Sequence, residues 1–176
     1  ASIDAYLAHR YIPAPRTIFS NIARLPNGRR LEYSLDNGAL TEHRYWSPEA
    51  VPTADYARLL DEAIELRLVA DRPLGLFLSG GIDSGTIACR LAATGHAGLT
   101  SFSAAFPGSS FDESAEARAT AGALGLANES IAVPTTLGDG STRTVAALRG
   151  PPPDPSPLPT WYLARGTVPH VKVVLG

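Results

Sequence analysis

Residues Leu74 to Ser84, LGLFLSGGIDS, constrain the fold of this chain more than any other stretch. Leu74, Leu76, Phe77 and Leu78 form a nearly continuous apolar run between Pro73 and Ser79, the pattern of a strand buried on both faces of a parallel sheet. Gly80 and Gly81 remove two side chains where the backbone turns, so that bare N–H groups can approach an anion. Asp83 and Ser84 stand where a helix begins, and Ile87, Ala88, Leu91 and Ala92 carry its apolar stripe until Gly95 ends it. A helix N-terminus attracts phosphate through its free N–H groups and its dipole. Asp83 would repel that phosphate without a cation between them, which points to a divalent metal, Mg²⁺. Strand, turn and helix together read as a phosphate cradle, and a plain serine-glycine turn accounts for fewer of these features.

Ser79-Gly80-Gly81-Ile82-Asp83-Ser84 resembles the pyrophosphate-binding loop of the ATP pyrophosphatase (PP-loop) family. The surrounding text resembles the glutamine-hydrolysing asparagine synthetases and their amidotransferase relatives. No Lys follows the glycines, so the motif is not a Walker loop. Gly85 departs from the family, which usually carries Ser or Thr there, and one phosphate-facing hydroxyl is expected to be missing.

Composition narrows the function classes. With 176 residues, 44% apolar and 18% charged, the chain is globular in character. A net charge of −2 and scattered Arg residues give no basic field for nucleic acid. No apolar run reaches the roughly 20 residues that span a bilayer, and the expectation is a soluble, cytoplasmic protein without a membrane partner. Cys89, the only cysteine, allows no internal disulfide and is expected to be a small buried side chain. The lack of Met, the start at Ala1 and the stop at Gly176 after an apolar strand suggest a piece of a longer polypeptide.

Along the chain, Ile3, Tyr6 and Leu7 predict a short helix stopped by Pro13 and Pro15. A hairpin follows, Arg30 to Leu35 and Leu40 to Trp46 around Asp36-Asn37-Gly38, and His9 and His43 read as surface or packing histidines. Ser47 to Thr53 reads as a linker, with a domain boundary near residue 50. Thr53 is expected to cap a helix to Ala70 with a wide buried face of Tyr56, Leu59, Leu60, Ala63, Ile64 and Leu66. Further strands are expected at 99–106, 128–133 and 171–175, with a helix capped by Asp112 between the first two. Gly138 to Thr142 reads as turn, with Val145 to Leu148 a short helix, and the prolines from Pro151 to Pro159 read as an extended linker. The βαβαβ order argues a parallel α/β sheet whose ligand sits beyond the strand C-termini.

The resemblance implies a fold and a chemistry. Residues 1–50 are similar to the end of a glutaminase domain, a β-hairpin remnant with its linker, and 51–176 to the first part of an ATP-dependent synthetase domain of PP-loop type, with helices on both sheet faces. ATP would lie with its pyrophosphate on Leu78, Ser79, Gly80, Gly81 and Ser84, with Mg²⁺ near Asp83 and a backbone group of Ala104 beside the adenine. Gly176 falls where the family has the Ser of a Ser-Gly turn. Asp154, Ser156 and Thr160 resemble the stretch that shapes the acid-substrate pocket. The implied reaction activates a small-molecule carboxylate as an acyl-adenylate, and ammonia from glutamine, or another amine donor, then displaces AMP. Arg149 and Gly150 stand where the family has an acidic pair, and Gly150 has no group that moves a proton. A lactam- or peptide-cyclising relative using an internal amine, and an inactive ATP-binding fragment, therefore stay open, as does a homodimer.

Overall fold

In the computed structural model, which describes residues 2–49, 55–134, 139–148, 154 and 156–176, the chain divides into two compact units. Ala1–Thr53 with Val145–Asp154 form the first, and Ala54–Thr144 with Pro155–Gly176 the second. Thr53, the boundary near residue 50, Arg149, Gly150 and positions 151–153 and 155 lie outside the described residues.

The first unit carries helix α1 (Ser2–His9) and an antiparallel hairpin of β1 (Arg29–Tyr33) and β2 (Leu40–Arg44). The Asn37-Gly38 turn closes it as its sequence demands. Gly38 takes a φ of +69°, and the Asn37 side-chain oxygen accepts the Ala39 N–H at 2.9 Å. Across the strands His43 pairs with Glu32 at 2.8 Å, so it is a surface histidine in a cross-strand contact.

The second unit is a four-stranded parallel sheet of order β5-β4-β3-β6, formed by β3 (Leu74–Phe77), β4 (Thr100–Ala105), β5 (Ala127–Ala132) and β6 (Val173–Leu175). Helices α2 (Tyr56–Leu68), α3 (Ile82–Ala93) and α4 (Ser114–Ala123) share a core with one face, in which Leu76, Leu78, Leu91, Ala117 and Ala121 are buried. Helix α6 (Pro157–Thr167) covers the other face, where a β carbon on Gly166 would come within 2.5 Å of Ile131. Helix α5 (Asp139–Leu148) begins in this unit. On the α2 face, the Asn128 amide bridges the buried hydroxyls of Ser101 (3.0 Å) and Ser103 (3.1 Å) between β5 and β4.

Several boundaries differ from expectation. Asp55, not Thr53, caps α2 by accepting the Arg58 N–H at 2.9 Å, and the helix ends at Leu68. Its buried face is narrower than predicted. Ile64 is buried and Leu60 and Leu68 pack beside it on the i, i+4 stripe, whereas Tyr56, Leu59 and Leu66 are exposed. Cys89 is exposed, because the residue after Ala88 lies about 100° further around the helix, off its buried face. The run Asp139 to Thr142 is helical, not turn. Gly140 fits there because a β carbon would strike the Tyr162 ring system of α6 at 2.5 Å. The proline stretch turns helical at Pro157, since the first turn of a helix has N–H groups without intrahelical partners and tolerates Pro. Among the described residues no helix is long and apolar enough to cross a membrane.

Where α2 meets α3, Arg90 makes a bidentate pair with Asp61, and the guanidinium holds that carboxyl below its ordinary value of 3.8. The Ser114 hydroxyl and N–H do the same for Asp112. A lowered native pKa adds stability that is complete above the unfolded value and is lost as pH falls through the native one. Stability is therefore expected to fall below about pH 3.8 through these groups, and Asp61→Asn should flatten that acid limb in urea titrations taken from pH 5 to 2.

Candidate functional site

The strand order places the site. From β3 the chain steps outward to β4 and β5, then returns to lay β6 on the opposite side of β3, so the topology reverses between β3 and β6. Open α/β sheets bind ligands beyond the strand C-termini at such a point. The C-terminus of β3 leads into Ser79-Gly80-Gly81 and that of β6 into Gly176, with a cavity of about 440 Å³ beside them. A larger opening in the first unit, about 770 Å³, lies between residues 2–4 at the start of α1 and residues 15–23, and no glycine lines it.

Gly80 and Gly81 are exposed, and Leu78 is buried at the strand end with its N–H donated to Phe102 O at 2.9 Å. Three successive loop amides point at oxygens, each at 3.1 Å. Ser79 N–H donates to Ser84 Oγ, Gly80 N–H to Glu113 Oε2 and Gly81 N–H to Ser79 Oγ. The Ser79 and Ser84 hydroxyls meet at 2.9 Å. Helix α3 starts directly behind the loop with Gly81 as its N-cap and Asp83 in its first turn. Each of these three loop amides is thus held by a protein oxygen, the kind of acceptor that a phosphate oxygen replaces.

Leu78, Ser79, Ser84, Ala104, Thr160 and Gly176 line the cavity, whereas Gly80, Gly81 and Asp83 do not. Asp154 and Ser156 are exposed and do not line it, and Asp154 belongs to the first unit. Phe106, Phe111, Leu163 and Glu113 also form its wall and were not singled out as site residues. Phe111 is 82% exposed and lines the cavity. The N-cap of α4 is Glu113, not the expected Asp112, whose carboxylate instead accepts the Ser114 N–H two residues on, at 3.0 Å.

Gly85 lies in α3, and a β carbon added to it would meet nothing within 4 Å. Glycine inside a helix costs about 0.5–1 kcal/mol relative to alanine. Gly85→Ala is accordingly expected to raise stability by about that amount, read as a shifted urea midpoint at constant slope.

For a nucleotide, the exposed loop amides, the helix start and the adjoining cavity offer a place of suitable chemistry. For a divalent ion, no group of three His, Cys, Asp or Glu is gathered among the described residues. Asp83 in the first turn of α3 would then share a Mg²⁺ with ligand oxygens, the usual way that ion is held.

The comparisons agree with this geometry. The family model described as asparagine synthase matches residues 55–176. Asparagine synthetase [glutamine-hydrolyzing] 1 of Bacillus subtilis is 28% identical over 99% of this chain and 29% of its own length. A putative asparagine synthetase [glutamine-hydrolyzing] of Mycobacterium tuberculosis is 32% identical over 99% of the chain and 28% of its own length. The putative asparagine synthetase [glutamine-hydrolyzing] 2 of Methanocaldococcus jannaschii is 33% identical over 49% of the chain and 18% of its own length. The chain spans less than a third of these relatives. With the asparagine synthase match covering the whole sheet unit and the glycine loop at its switch point, the chain belongs to the asparagine synthase family.

Proposed function

We propose that this chain is part of an ATP-dependent amide-forming ligase of the asparagine synthetase type, serving amino-acid biosynthesis in the cytoplasm. The single observation that carries the reading is the set of three loop amides, 3.1 Å from oxygen acceptors, at the sheet's switch point beside a cavity. Ser79, Gly80, Gly81 and Ser84 hold the pyrophosphate of ATP, with Leu78, Ala104 and Gly176 along the nucleoside. Mg²⁺, when bound, neutralises phosphate charge next to Asp83. The amides and the α3 dipole stabilise the negative charge that accumulates on the leaving pyrophosphate as a substrate carboxylate attacks the α-phosphorus. Thr160, on the cavity wall, serves the acid-substrate side. Residues 1–50 are the end of a glutaminase domain, and ammonia released from glutamine elsewhere in the polypeptide displaces AMP.

ATP–pyrophosphate exchange tests the activation step. Label is expected to enter ATP only with Mg²⁺ and a small carboxylic acid, aspartate first among them. Calorimetric binding of ATP without any exchange across a panel of acids would leave an ATP-binding module instead of a ligase. Release of AMP with added amines but not with ammonia would favour the cyclising chemistry, for which Arg149 and Gly150 in place of an acidic pair are the motive.

A further inference from the structure

The three acceptors that occupy the loop amides are not equivalent. The Ser79 and Ser84 hydroxyls can rotate and become donors when a phosphate oxygen arrives, so they pass from stand-in to ligand contact without leaving. The Glu113 carboxylate has no hydrogen to give. Its Oε2 on Gly80 N–H at 3.1 Å occupies a position that an anionic oxygen needs, and it repels whatever anion approaches. Glu113 is also placed to stay. It is the N-cap of α4, on the cavity wall, and a β carbon on Gly80 would lie 3.2 Å from the β carbons of both Glu113 and Glu116. Backbone of the loop and start of α4 are therefore close, and the missing side chain at residue 80 leaves the carboxylate room beside the amide.

We propose that Glu113 is a specificity residue of the loop, a resident anion that excludes bare phosphate and diphosphate and yields to a diphosphate that arrives carrying a divalent cation. This rests on the pyrophosphate reading of the loop. A free anion must displace the Glu113 carboxylate from the Gly80 amide and then sit beside its charge. A metal-loaded diphosphate reverses the sign, because the displaced carboxylate then meets a cation at the edge of the ligand. Selection between the two species is thus set by one side chain on a neighbouring helix, not by the glycine loop itself.

Inorganic pyrophosphate is the probe, titrated calorimetrically into the intact chain with excess MgCl₂ and again with EDTA, while the Gly80 amide proton is followed by NMR. Wild type is expected to bind the magnesium form at least about tenfold more tightly than the bare anion. In Glu113→Gln the bare anion should gain about tenfold while the magnesium form changes less than about threefold, so the preference collapses. The Gly80 amide proton should move upfield in the unliganded variant, since a charge-assisted bond is replaced by a neutral one. Glu116→Gln removes the same charge one turn along α4 without touching the Gly80 acceptor, and should keep the wild-type ratio. An unchanged ratio in Glu113→Gln, or an equal collapse in Glu116→Gln, overturns the proposal and leaves the loop as a pyrophosphate site. Absence of pyrophosphate binding in all three proteins overturns the reading of the loop and this proposal with it.

Discussion

Leu76→Ala is expected to lower the unfolding free energy by about 3 kcal/mol, the largest stability loss among the changes considered. Leu76 is fully buried in β3, the strand paired with β4 on one side and β6 on the other, and its side chain lies in the cluster with Ile64, Leu91, Ala117 and Leu175. Cutting it to a methyl removes transfer free energy and leaves a cavity between three helices and the sheet, which neighbours on rigid elements cannot close. Since domains of this kind are stable by only about 5–15 kcal/mol, the urea midpoint should fall steeply. A loss under about 1 kcal/mol would mean that β3 is not the centre of the core.

Asp83→Asn carries the second large effect. The carboxylate stands in the first turn of α3, where the helix dipole favours it by about 0.3–1 kcal/mol, so its replacement costs the fold only about that much. Its expected role lies with the metal. At saturating Mg²⁺, binding of ATP should weaken about 100-fold, the size of a lost charged contact of roughly 1.5–3 kcal/mol. With EDTA the sign reverses, because bare ATP no longer meets that repulsion, and binding should equal or exceed wild type. This pattern separates Asp83 from Glu113, whose loss strengthens the bare anion and leaves the metal-loaded one nearly unchanged. Equal weakening of ATP with and without Mg²⁺ would remove Asp83 from any metal role.

The strand, loop and helix from Leu74 to Ala93 were legible because each local signal agreed with its neighbours. An apolar run, two glycines and a periodic stripe allow one arrangement. Tertiary partners decided what was misread. Gly140 looked like a turn residue until Tyr162 packed against its missing side chain, and Pro157 and Pro159 looked like linker until they occupied a first helical turn. The cavity wall was hardest to see. Phe111 and Glu113 lie 30 residues beyond the loop in sequence, and only the pairing of β4 with β3 brings the start of α4 to Gly80. Nothing in local periodicity reports such a distance.

The Asn128 bridge has a bearing on the cavity end of the sheet. Its amide spans two rungs, Ser101 and Ser103, that alternate along one face of β4. Sliding β5 by a single residue would turn Asn128 to the opposite face and strand two hydroxyls in the dry interior, at about 1–3 kcal/mol apiece. The amide therefore works as a gauge block, fixing how far β4 projects past β5 and hence the depth of Ala104 in the cavity wall.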